Sequence, residues 1–470
     1  MDTNRLDEAV ELFRDICIEL LEEKEDFVDV ETESFSMSLE VLRRALGAAL
    51  EVFDDHLFEH KGFGVVKSKE QRRVISLCGE VSFCRRRYTQ GDSTHVPLDE
   101  ILALAPRSRL SPAATYEITT LALDMSYQKV ADAFERISGV RISKPTVGDA
   151  IVATAAELDL TTAPDKKKVL STLYCEADGI WVALQHTKKA RLAAAKHNKV
   201  LPRKQEVCLA TDYEGKAKSN PGTTTRINAH YLVSVDGHDA FWEQVEANYQ
   251  QRFDTASIST TLFSTDGESG YSIGQNYLPG HVIHLLDRFH VFRNVRLLTN
   301  PDIASEIITL LCARKLEGAL LHLGGYRDYY RCQGNHKMTK DIQKLMKYLV
   351  RWRDAILAGL IFSLGSCEGS NAHVIAARTK TCGRAWSVRR LKALVSLLAW
   401  THSGSNLPRI RRHQETVLRP ECILDGASAD EVLSESGTKS SGPAYYHQAT
   451  STDKLIADIA LSWQDNYRFI

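Results

Sequence analysis

The spacing of apolar residues changes period several times along this chain, and each change marks a segment. Over residues 1–60, Ala9, Leu12, Phe13, Ile16 and Leu20 recur at intervals of three and four with acids opposite, which predicts an amphipathic helix. A second amphipathic segment covers residues 38–57. Residues 71–88, QRRVISLCGEVSFCRRRY, shift to strict alternation around Gly79-Glu80, the pattern of a β-hairpin with a basic end. Helical spacing returns at 112–123. Ser126 is a plausible N-cap for a second helix that Gly139 ends, and Ser143-Lys144-Pro145-Thr146-Val147 opens a third.

From Lys168 the pattern is that of short strands. Residues 169–176 run through Asp178-Gly179 into 180–185, and two more strands are predicted at 206–211 and 230–235. A helix at 240–253 follows, then a strand at 261–264, about three helical turns within 268–278, and a strand at 281–286. The first three strands are close enough for an antiparallel meander, whereas the last two need helical crossovers. That order predicts an α/β fold with an RNase H-like mixed five-stranded sheet. A long helical stretch from Val291 to about residue 364 interrupts it, and Gly365-Ser366-Cys367-Glu368-Gly369-Ser370-Asn371 breaks and restarts a helix. The expected organisation is an N-terminal helical segment (1–60), a basic hairpin region (61–110), a helix-turn-helix-like domain (111–165), a sheet core (166–290), an all-helical insertion (291–364), the returning core helices (365–402) and a polar tail (403–470).

Composition changes this picture only in places. Of 470 residues, 43% are hydrophobic and 25% charged, as in globular proteins, and no apolar run reaches spanning length. An acidic N-terminus argues against a secretory signal, and ten cysteines without a CxxC pair suggest reduced thiols in the cytoplasm. Cys332 and His336 lie four apart without a second ligand pair, so structural zinc is not expected. The net charge of −1 hides basic clusters. One includes Arg85, Arg86 and Arg87. The other runs through Lys188, Lys189, Arg191, Arg203, Lys204, Lys216 and Arg226. Two such clusters suggest a polyanion partner, although solvated basic loops explain either one alone. In the helix-turn-helix reading, Lys144 and Thr146 begin the recognition helix; an ordinary pair of packed helices fits the same spacing.

The candidate chemistry lies in carboxylates. Asp178 sits on the first core strand, Asp266 ends the fourth, and Glu368 opens the helix after the insertion. Convergent carboxylates of this kind bind Mg²⁺, and a pair of such ions supports in-line phosphoryl transfer. Asp-Gly pairs at 178–179 and 266–267 are also ordinary turn signals.

Four segments, YCEADGIWVALQ, STDGESGYSI, LLDRFHVFRNV and GSCEGSNAHVIAARTKTCGRAWS, resemble those of bacterial insertion-sequence transposases of the Lre type, relatives of the Mutator-like DDE transposases. The resemblance spans roughly residues 71–400. It implies DNA cleavage and strand transfer at element ends with Mg²⁺ (Mn²⁺ substituting), held by Asp178, Asp266 and Glu368, on double-stranded DNA and in a homodimer or larger assembly. It also sets Asp287 and His290 beside the active site: Asp287 as a hydrogen-bond partner of a metal-bound water, His290 at the scissile phosphate. A strand-end salt bridge is the alternative for that pair, and Glu317 is the alternative third carboxylate. A DNA-binding regulator without catalysis and a stand-alone nuclease remain open as other functions.

Overall fold

The computed structural model describes residues 3–60, 65–90, 93–158, 166–220, 223–362, 364, 367–380 and 384–410. The chain divides into two compact units, Met1–Glu157 with Pro408–Ile470, and Leu158–Leu407. Among the described residues no helix is long and apolar enough to cross a membrane.

In the first unit, helices Thr3–Glu23 and Phe27–His60 precede an antiparallel sheet of β1 (Val65–Ser76), β2 (Gly79–Gln90) and β3 (Ser93–His95). The hairpin is longer than the alternation predicted, and its register pairs Val74 with Val81. Gly79 turns it at φ 114°, where a side chain would be strained and a Cβ would lie 2.9 Å from the Ser138 carbonyl. The helix Phe27–His60 closes over the sheet through Leu57, Val74, Val81 and Phe83.

This packing corrects the expectation of a free basic edge. Arg85 is buried and pairs with Asp99 at 3.0 Å, Arg86 pairs with Asp54 at 2.8 Å, and Arg87 with Glu70 at 2.9 Å. Arg85 is turned inward, Arg86 is half-buried and Arg87 is partly exposed, each met by an acid: Asp99 of the short helix Pro97–Ile101, Asp54 of the facing helix and Glu70 of the neighbouring strand. Charge-assisted hydrogen bonds offset the cost of desolvating these groups.

The three predicted helices run Pro112–Asp124, Tyr127–Ser138 and Lys144–Ala156. Ser111, Ser126 and Ser143 each cap one by accepting a backbone N–H, and Gly139 ends the second in the left-handed conformation at φ 70°. Ile118, Val130, Phe134, Val147 and Ile151 are fully buried, and Thr119 and Thr154 hydrogen-bond inside the bundle at 2.9 Å.

The second unit is built on β4 (Thr172–Ala183), β5 (Lys204–Tyr213), β6 (Gly215–Asn220), β7 (Thr223–Ile227), β8 (His230–Ser234), β9 (Thr260–Thr265) and β10 (His281–Leu286). Five of them form one sheet in the order β10-β9-β4-β5-β8; β4, β5 and β8 are antiparallel, while β9 and β10 run parallel to β4. The strands β6 and β7 form a separate two-stranded ribbon. One sheet face carries the helix His238–Arg252, whose Phe241, Trp242 and Val245 pack on Cys175, Ala177, Cys208 and Phe263. Tyr174, Leu262 and Leu285 face the other way, toward Ala358 and Leu364.

Between β9 and β10 the chain makes only a short helix, Ser269–Ser272, and a 3₁₀ turn, Ile273–Asn276, in place of the three turns expected. Glycine and serine weaken the helix there, and the segment is pressed against the core: a Cβ at Gly274 would fall 2.3 Å from the Trp242 ring. The insertion holds five helices among the described residues, Arg288–Leu298, Pro301–Cys312, Leu316–Cys332, His336–Arg351 and Arg353–Phe362. Val295, Ile307, Leu323, Ile342, Leu345 and Leu349 are its fully buried centre. Beyond residue 410 the predicted polar tail lies outside the described residues.

Candidate active site

Strand register brings the first two carboxylates together. Glu176 pairs with Ser264 at the end of the parallel β4–β9 ladder, and two residues on along each chain the charge of Asp266 acts on Asp178. Neighbouring strands lie about 4.8 Å apart, so the two acids come close where β9 ends alongside the middle of β4. Asp178 Oδ1 accepts from the Gly179 N–H at 2.7 Å, and Oδ2 accepts from Asn371 Nδ2 at 2.8 Å. Asp266 Oδ1 accepts from the Glu268 N–H at 2.8 Å, so it shapes the turn while remaining at the strand end.

Burial pushes the Asp178 carboxyl up to about 6, against the Gly179 hydrogen bond. The charge of Asp266 raises it further, and His290 and Asn371 act in the other direction. Two acids that resist sharing negative charge form a place where a cation is favoured. Two buried polar atoms there lack a hydrogen-bond partner among the described residues, Asn371 Oδ1 and His290 Nε2. An oxygen-rich donor set with such unfilled positions fits a hard divalent ion.

Asp287 is buried and caps the helix Arg288–Leu298, accepting from the Phe289 N–H at 3.1 Å. Its carboxylate is therefore a helix cap, the strand-end salt bridge being absent among the described residues. It stays within electrostatic reach of the site: burial pushes the Tyr348 phenol up to about 12, and Asp266 and Asp287 both add to that. Glu368 lies in the helix Cys367–Ser370, which packs on β4, but its side chain lies outside the described residues. Glu317 is instead paired with Arg353 at 2.8 Å on the insertion.

A buried ionic network that sequence reasoning missed holds this helix against the strand. Arg226, on β7, bonds Ser370 Oγ at 2.7 Å and lies 3.3 Å from Glu176 Oε1, which also accepts from Tyr213 at 2.7 Å. Lys216, on β6, donates to the Leu364 carbonyl. Arg226, grouped by sequence with the exposed basic stretch, thus points inward, while Lys216 stays exposed and turns its ammonium to a backbone carbonyl. The available signal was Glu176 standing two residues before Asp178, on the same strand face. Asn371 begins a π-helical stretch, Asn371–Ala376, a local widening often found at functional sites.

The basic segment between β4 and β5 behaves differently. The helix Lys188–Lys196 buries none of its residues, and Lys188, Lys189, Arg191, Arg203 and Lys204 are exposed. In the first unit Lys144 is exposed, whereas Thr146 is half-buried and bonded to Ser143 at 2.8 Å.

A curated relative, "UPF0236 protein in vanSb 3'region" of Streptococcus gallolyticus, is 23% identical over 403 residues, covering 82% of this chain and 85% of that protein. Among solved structures, the Drosophila P element transposase strand transfer complex matches 75% of this chain and 80% of its own at 13% identity, with a TM-score of 0.23. A superposition that loose carries no argument about fold or chemistry. The profile described as "Uncharacterised protein family (UPF0236)" matches residues 20–416, and this chain belongs to that family.

Proposed function

We propose that this protein is a DNA transposase whose RNase H-like core cleaves and joins DNA at the ends of an insertion sequence. The observation that carries the reading is the electrostatic influence of Asp266 on Asp178, just past the last β4–β9 pair, with Asn371 bonded to Asp178. Three antiparallel strands followed by two parallel ones, in the order β8-β5-β4-β9-β10, support the RNase H-like assignment. The four sequence segments that resemble Lre-type transposases include every residue of this site.

Asp178 and Asp266 would hold Mg²⁺ or Mn²⁺, with Glu368 as the third carboxylate. Bound there, such ions would supply Lewis-acid polarisation of a phosphate and a lowered cost of deprotonating water. The chain's own residues have separate tasks. Asn371 and the Gly179 N–H fix both oxygens of Asp178, so the carboxylate does not reorganise as charge develops. His290, whose buried Nε2 lacks a hydrogen-bond partner among the described residues, would donate to a phosphate oxygen. Asp287 fixes the start of the helix that carries His290. The exposed Lys188, Lys189, Arg191, Arg203 and Lys204 contact the DNA backbone, and Lys144 and Thr146 begin the recognition helix of a helix-turn-helix. The buried Arg85 and the half-buried, paired Arg86 are not part of the interface.

The test is cleavage and joining of DNA carrying the inverted repeats that flank the gene, assayed with Mg²⁺. Asp178→Asn abolishes both while DNA affinity and the circular-dichroism spectrum stay unchanged. Full activity in Asp178→Asn overturns the mechanism. Sequence-specific binding without strand scission in the wild type indicates a DNA-binding regulator, and nicking without joined products a nuclease.

A further inference from the structure

We propose that Glu206, Cys208 and His238 form a binding site for one transition-metal ion of the zinc class, on the sheet face opposite Asp178. Glu206 and Cys208 are two apart on β5 and so point to the same face, the one on which Cys208 joins Cys175, Ala177 and Phe241. His238 opens the helix that covers that face. One ligand atom from each of the three lies within 4.8 Å of the others, and His238 Nε2 is 3.7 Å from Glu206 Oε1. Tetrahedral zinc with bonds of about 2.0–2.3 Å sets its ligand atoms roughly 3.3–3.8 Å apart, so closure needs only side-chain adjustment.

Several features hold the donors as ligands. His238 Nε2 is buried without a hydrogen-bond partner among the described residues. Its ring stands edge-on to Tyr271 at 4.8 Å and sits where a Cβ at Gly270 would come within 2.5 Å of Nε2. Tyr271 donates to Glu206 Oε1 at 2.7 Å, the second-layer contact that orients a ligating carboxylate. Gly179 leaves room for both, since a Cβ there would lie 2.0 Å from the Tyr271 oxygen and 2.5 Å from Glu206 Oε1. Nitrogen, sulfur and a single carboxylate select zinc or cobalt over magnesium, and three protein ligands leave a fourth position for water. Binding takes Cys208 as the thiolate, its proton passing to solvent.

The full-length chain, stripped with EDTA and desalted, is titrated with Co²⁺ alone. The expected result is one equivalent bound with a thiolate-to-cobalt absorption band, displaced by one equivalent of Zn²⁺ and insensitive to Mg²⁺. Cys208→Ser removes the band, His238→Gln weakens binding by about tenfold or more, and Cys332→Ser, at an exposed thiol, leaves both unchanged. No band in the wild type, or a band that survives Cys208→Ser, overturns the proposal. If Cys208→Ser loses the native circular-dichroism spectrum, unchanged Co²⁺ affinity in folded His238→Gln overturns it instead. None of these readouts involves DNA, so they stand or fall apart from the transposase reading.

Discussion

A carboxyl held near 6 beside a second acid makes Asp178 a residue whose charge works against folding. The native state keeps its proton more tightly than an unfolded chain with the usual value of 3.8. This contribution favours folding below that value and is lost as pH rises through about 6. The Tm of Asp178→Asn relative to the wild type is therefore expected to rise by a few degrees between pH 4 and pH 8, as scanning calorimetry would measure. This rise comes on top of a pH-independent loss from the one hydrogen bond an amide cannot accept. Added Mg²⁺ should stabilise the wild type at pH 8 and leave the variant unmoved. Glu176 gives the opposite case, a fully buried carboxylate that needs its partners. Arg226→Met removes its cationic partner and should cost about 3 kcal/mol in urea unfolding, whereas adding Glu176→Gln in the same chain should recover much of the loss. Equal losses in the single and double variants would remove Arg226 as the partner that holds Glu176.

At the scale of elements, the helix Lys188–Lys196 stands out because nothing in it is buried. Capped by Thr187 and rich in alanine, it forms from local terms and contributes little to the core. Replacing Lys188, Lys189 and Arg191 with alanine should leave Tm unchanged and weaken binding to all DNA sequences alike. The slope of log affinity against log salt should become shallower by about 0.9 for each DNA phosphate that these side chains no longer neutralise. An unchanged slope in a filter-binding or anisotropy titration would take this helix out of the interface. Elements also explain the largest departure from the sequence pattern. The arginine triplet 85–87 has the spacing of an exposed basic strand, but a helix and a short helical turn bring Asp54 and Asp99 against it. Alternation along a strand reports which side chains share a face and says nothing of what covers that face.

For the whole molecule, the two compact units have separate cores, so the segment Leu158–Leu407 should fold alone. Expressed by itself, it is expected to unfold in one cooperative calorimetric transition and to keep its Co²⁺ band. A molten profile without a transition would show that its core depends on the rest of the chain.

Local physics made much of this legible in advance. Apolar period, serine caps and the left-handed Gly139 depend on residues within a few positions of each other, so helices, strands and their order could be read from the chain. Asp178 on a core strand and Asp266 just after another were visible for the same reason. What only the tertiary structure decided are the meetings between distant positions: Asn371 with Asp178, Arg226 with Glu176 and Ser370, His238 with Glu206 and Cys208. Those contacts depend on strand order, register and which helix covers which face. These are outcomes of burial summed over the whole core, and no short window of sequence contains them.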